Sequence, residues 1–142
     1  MNNEEIIVAL NEILEHELAG VVRYSHYALM VFGHNRIPIC GWLRGHASES
    51  LTHANEVGEL ITRFGGHPSL KIGKLLETHK HSINDILNES LDHEKHQVRT
   101  YEKLLKLTEG KSVSLEEYAR KMIAEEELHI SEVEKMLRTS NS

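Results

Sequence analysis

Between Ser114 and Arg138 the apolar residues Leu115, Ala119, Met122, Val133 and Met136 fall on one seam that steps by four and three, the signature of one face of a long helix. The same stepping lands on Glu126 and His129, where core residues belong. Three apart on a helix, a carboxylate and an imidazole point the same way and can close on one ion. Few folds accept such a helix, because its partners must cover the apolar residues and also supply a counter-charge to a buried acid.

Three further stretches carry the same kind of seam. The first runs from about Asn3 to Phe32 through Leu10, Ile13, Glu17, Gly20, Tyr24, Ala28 and Val31. After the turn Gly33 to Pro38, a second helix reaches about Phe64, with Ile39, Leu43, His46, Ser50, His53, Val57, Leu60 and Phe64 in line. Pro38 suits its first turn, where a missing N–H costs nothing. The third runs from about His81 to Thr108 through Ile83, Leu87, Ser90, Glu94, Gln97, Tyr101 and Leu104. Ser114-Leu115-Glu116-Glu117 has the form of a capping box and is expected to open the fourth helix, which reaches about Arg138. Thr139 to Ser142 reads as a frayed tail.

With two prolines and little strand signal, the chain is expected to be all-α, a four-helix bundle in one domain over residues 1–142. Gly65-Gly66-His67-Pro68 stops the second helix, and Ser69 to about Lys80 has no sustained seam. A connection that long can run the height of a bundle, which predicts an up-down-down-up order rather than successive antiparallel hairpins.

The net charge of −6 argues against nucleic-acid binding, and no Lys/Arg-rich block offsets it. Neither the start of the chain nor any later segment reads as an export signal or a membrane span. The single Cys40 reads as a small buried apolar residue, so a reducing, cytoplasmic setting is expected. Eleven histidines are the unusual entry in the composition, since imidazole is the commonest nitrogen ligand for transition metals.

The ionisable seam residues are Glu17, His46, His53, Glu94, Glu126 and His129, near the middle of their helices. Each half repeats one organisation, a helix with a seam Glu followed by a helix with a seam His. Carboxylates in an apolar interior cost several kcal/mol each unless compensated. Two divalent ions would bring four positive charges to this mixed O/N donor set, which suits iron or manganese better than a thiolate-built zinc site. Tyr24, two turns from Glu17, either hydrogen-bonds a ligand carboxylate or lies with its hydroxyl at the bundle edge. His16, His26, His93 and His96 flank the seam and are expected in solvated or interface positions, and Glu15, Glu56, Glu59, Glu125 and Glu127 are expected to face water or, in an assembly, an acidic inner surface. Met122 and Met136 read as core fillers.

These residues resemble the ferritin-like superfamily, and bacterioferritin most closely. That family places a Glu on its first helix, Glu-x-x-His on its second, a Glu on its third and Glu-x-x-His on its fourth. Glu17, His53, Glu94 and Glu126-Glu127-Leu128-His129 match, as does the crossover with Pro68-Ser69-Leu70 and Gly73-Lys74-Leu75. Three departures stand out. Ser50 occupies the place of the Glu three before His53. Glu49 shares a face with His46 and His53 and would remake the site if it turned inward; otherwise it is a solvated acid and His46 a core histidine. Leu51 stands where haem-binding bacterioferritins carry a methionine, so no haem is expected. The sequence stops about a dozen residues after His129, where cage-forming ferritins continue into a fifth helix.

The resemblance implies a ferroxidase-type protein, taking Fe(II) with dioxygen or peroxide at a two-ion site, for iron storage or detoxification. Iron is the expected metal, with Mn or Zn the alternatives. Two other readings keep the bundle: a small rubrerythrin-like di-metal oxidase or peroxidase without a cage, and a degenerate metal-binding bundle. The expected metal residues are Glu17, His46, Glu49, His53, Glu94, Glu126 and His129, in a homo-oligomer that is at least a dimer packed through the first two helices.

Overall fold

A computed structural model of the chain describes residues 2–138, so the expectation for Thr139 to Ser142 lies outside it. It consists of α1 (Asn3–Met30), α2 (Arg36–Arg63), α3 (Ile83–Thr108) and α4 (Val113–Leu137). Asn2 caps α1, its side chain accepting from Glu4 N–H at 3.0 Å and Glu5 N–H at 3.3 Å. Those orphan amides would otherwise need water. α1 ends at Met30, and Gly33, with φ 102°, supplies the left-handed turn that reverses the chain. Pro38 lies in the first turn of α2 as expected.

The fourth helix differs from expectation at its start. Ser112, not Ser114, is its cap and accepts from Leu115 N–H at 3.4 Å. Glu116 reaches back to Gly110 N–H at 3.1 Å. Ser114 carries the Ser-x-x-Glu pattern, but the turn at Gly110 makes the earlier serine the cap.

α1 packs on α2 and α3, and α3 on α4. Lys103 meets Glu12 while Arg23 meets the carbonyl of Glu89, so α1 and α3 run in opposite directions. The ring of His46 meets His129 while His53 meets Glu125, so α2 and α4 do likewise. This is the up-down-down-up order.

The crossover makes it possible by climbing along α1. Asn11 accepts from Ser69 N–H at 2.8 Å and donates to His67 O at 3.2 Å. One turn further up, Gly73 N–H donates to Glu15 O at 2.7 Å. A Cβ on Gly73 would stand 2.9 Å from that same backbone oxygen, which cannot swing away. Gly73→Ala is therefore expected to lift the crossover and cost about 1–3 kcal/mol. Thermal denaturation of the variant checks this, and an unchanged Tm would refute it.

The core forms two apolar plugs. One holds Ile6, Leu10, Ile13, Val57, Ile61, Tyr101, Leu104, Leu115 and Met122; the other holds Tyr24, Tyr27, Val31, Cys40, Leu43 and Ile86. Between them lies a polar layer, with Glu17, His53, Glu94 and Glu126 all buried. Met136 is not core, since it is 36% exposed near the end of α4. No helix among the described residues is long and apolar enough to cross a membrane.

Candidate metal centre

Each helix contributes from its middle to the polar layer. Glu17 from α1, His53 from α2 and Glu126 from α4 form one triad. His53 Nδ1 lies 2.8 Å from Glu17 Oε2 and 3.9 Å from Glu126 Oε1. Glu94 from α3 forms the second triad with Glu126 and His129, whose Nδ1 is 3.6 Å from Glu126 Oε2. Glu126 is common to both. Each triad thus offers two carboxylates and one imidazole, with one carboxylate shared.

Glu17 Oε2 and Glu126 Oε2 are sealed from solvent and have no aligned hydrogen bond, although an imidazole stands near each. Buried carboxylate oxygens in native structures are nearly always satisfied, so each exception asks for a partner. A cation between them fits the donor set.

The titration behaviour of the residues shows what such a cation would replace. Burial raises the Glu17 carboxyl to about 7, with Glu94 and Glu49 adding to the shift and His53 opposing it. Burial, then neighbouring Glu126, holds Glu94 well above the carboxylate range. Burial pulls His53 down, but Glu17, Glu126 and Glu49 outweigh it and leave the imidazole at about 9. Glu126 and Glu49 lift His129 to about 11. Without an ion, the site is held together by protons on its own ligands.

Tyr24 resolves in favour of the site. It is buried, and its hydroxyl donates to Glu94 Oε1. Burial and Glu94 keep that hydroxyl protonated, which fixes it as a donor. His46 stacks on Tyr24 at 5.2 Å between ring centres and meets His129 edge-on at 4.9 Å.

Glu49 turns inward. Its Oε1 is 3.2 Å from His129 Nε2 and 3.8 Å from His53 Nε2, and its side chain is 38% exposed. Beside it, Glu125 Oε2 lies 3.4 Å from His53 Nε2, with its side chain 35% exposed. Glu125, expected to face water or an acidic inner surface, is one residue off the seam and sits at the lip of the site. The periodic pattern could not find it, although its spacing of four from His129 is a weak signal. Ser50 is buried against α1, where a Cβ on Gly20 would meet its Oγ at 2.8 Å.

The expectation for His16 and His93 is also corrected. Both are buried, stacked at 4.0 Å, and Arg23 lies 3.3 Å from His93 Nδ1. Burial lowers His16 to about 4 and keeps it neutral. They belong to a second stripe along which α1 and α3 face each other, behind Tyr24 and Glu94.

Residues 7–141 match the ferritin-like domain family. The fold is shared with the ferritin-like, diiron-carboxylate proteins from Bacillus anthracis str. Ames (TM-score 0.89, 24% identity, 97% of this chain and 100% of that one). It is shared as well with a dodecameric thioferritin, the bacterioferritin-related protein from Bacteroides fragilis (TM-score 0.87, 24% identity, 96% and 86% covered). A third is Rhodobacter capsulatus bacterioferritin, described with a metal-free dinuclear site and haem iron (TM-score 0.84, 20% identity, 96% and 86% covered). No curated protein matches the chain.

Proposed function

The chain belongs to the ferritin-like domain family, and from that premise we propose that it is a ferroxidase-type protein with Fe(II) as substrate and dioxygen or peroxide as electron acceptor. The observation that carries this reading is the pair of triads sharing Glu126, with all three carboxylates buried and His129 partly exposed. In it, Glu17, His53 and Glu126 hold one iron and Glu94, Glu126 and His129 the other. Bound there, two irons supply one electron each to the oxidant.

The chain's own residues do the rest. Tyr24 orients Glu94 through its hydrogen bond. His53 and His129 release their protons as the ions enter, so loading is tied to proton loss. Glu49, touching both imidazoles, takes over from the carboxylate that Ser50 lacks. His46 buttresses the rings of Tyr24 and His129. Solvent, ions and oxidant reach the site past Glu49 and Glu125, the partly exposed side of the cluster.

Self-association, at least to a dimer, is part of the proposal. Val22 and Leu29 on α1 and Leu70, Ile72 and Leu75 on the crossover are exposed apolar residues. The dodecamer named for the Bacteroides fragilis protein shows that a ferritin-like fold of this type can assemble.

Aerobic addition of Fe(II), followed by ferric absorbance and oxygen uptake, tests the activity. Oxidation should run well above the buffer rate and fall sharply in Glu94→Ala. A parent protein no faster than buffer would refute it.

A further inference from the structure

We propose that His26, Glu77 and His81 form a separate surface site for one dication of the zinc type, at the upper end of the crossover. The three residues come from three segments: α1, the irregular crossover, and the residue just before the Ser82 cap of α3. One donor atom of each lies within 4.8 Å of the others. The two oxygens of Glu77 face different imidazoles, Oε2 at 3.1 Å from His26 Nε2 and Oε1 at 3.5 Å from His81 Nε2.

Those spacings are close to a tetrahedral ion's, and one ion would draw a single Glu77 oxygen towards both imidazoles. Bonds of about 2.0–2.1 Å to nitrogen and oxygen put neighbouring donors roughly 3.3–3.5 Å apart. His79 Nδ1 stands 3.8 Å from Glu77 Oε1, and its side chain is 84% exposed, so its ring is free to close a fourth position. The backbone favours this arrangement: His79 has φ 57°, and its N–H donates to Glu77 Oε1 at 2.6 Å. That tight turn brings the carboxylate back among the imidazoles.

An ordinary surface ion pair is a poor account of three imidazoles around one carboxylate. Such pairs contribute little, and one carboxylate has only two oxygens for three rings. The donor set also differs from that of the buried centre. There, carboxylates outnumber imidazoles; here, imidazoles outnumber the carboxylate, which favours zinc, nickel or copper over iron. His26 lies nine residues beyond Glu17 on α1, roughly 13 Å at a helix's rise of about 1.5 Å per residue. The two sites share no ligand. A bound ion would tie α1, the crossover and the start of α3 together.

Isothermal titration of the metal-free full chain with Zn(II) tests the site. The stoichiometry should drop by one ion per chain in His26→Ala/His81→Ala and in Glu77→Gln, relative to the parent. Glu77→Gln keeps an acceptor for His79 N–H, so it removes the anionic ligand without undoing the turn, and it decides the matter alone if the double variant does not fold. Equal zinc stoichiometry and affinity in the parent and Glu77→Gln would overturn the site. Zinc counting does not depend on Fe(II) oxidation, so failure here and failure of the ferroxidase reading are separate results.

Discussion

Replacing Glu126 with alanine is expected to slow Fe(II) oxidation by more than about a hundredfold. Even outer partners of metal ligands are worth about 10- to 100-fold, and Glu126 serves both triads, facing His53 with one oxygen and His129 with the other. Its loss removes the link between the two ions as well as a ligand from each. Glu49→Gln should cost about tenfold or more if Glu49 has taken over from the carboxylate absent at Ser50, because Glu49 alone touches the outer nitrogens of both imidazoles. Glu125→Gln, which touches only His53, should cost less. Stopped-flow measurement of ferric absorbance in the three variants orders these effects. A Glu126→Ala protein that oxidises iron at the parent rate would remove the centre from the chemistry altogether.

The metal-free protein should lose thermal stability as pH rises from 7 to 9, on the order of 2 kcal/mol. His53, at about 9, holds in the folded state a proton that an unfolded histidine, at 6.5, has released. Its stabilisation is therefore complete below about 6.5 and lost as pH climbs through 9. His129 acts in the same sense, but its loss extends towards 11. Glu17, raised to about 7, gives up its share as pH rises from 4.5 through 7.

His16 acts oppositely and in another window. Its folded value of about 4 means that the unfolded chain takes up the proton first, so its contribution is lost as pH falls below about 6.5. Below about 6.5 it therefore opposes Glu17, and the alkaline loss is the clear trend. Loading with Zn(II), or with Fe(II) under anaerobic conditions, should reverse the alkaline trend. An ion replaces the protons and binds more tightly once the ligands are free of them. Calorimetry at pH 7, 8 and 9 would show the gap between loaded and metal-free Tm widening. A metal-free Tm that stays flat over that range would contradict the assignment.

Much of this centre was legible in the chain itself. Glu17, His53, Glu94, Glu126 and His129 stand on helical seams, and helical periodicity is a local property that needs no knowledge of neighbours. The same holds for the start of α1 near Asn3, for the turn at Gly33 and for the long unpatterned crossover. The start of α4 is different, because the capping-box pattern stands at Ser114 while the fold caps the helix with Ser112.

Side chains one step off a seam were a different matter. Glu49, Glu125, His16 and His93 each lie beside a seam, where rotation about the helix axis decides between solvent and interior. α1 touches two neighbours, so it buries two stripes, and a single periodic pattern reveals only one. The sequence by itself determined that acids and imidazoles would lie along the axis of a four-helix bundle. Only the tertiary structure decided that Glu126 is the shared carboxylate, that Glu49 turns inward, and that three distant segments bring His26, Glu77 and His81 together, because those are distances between helices and loops, which the order of residues along any one of them does not contain.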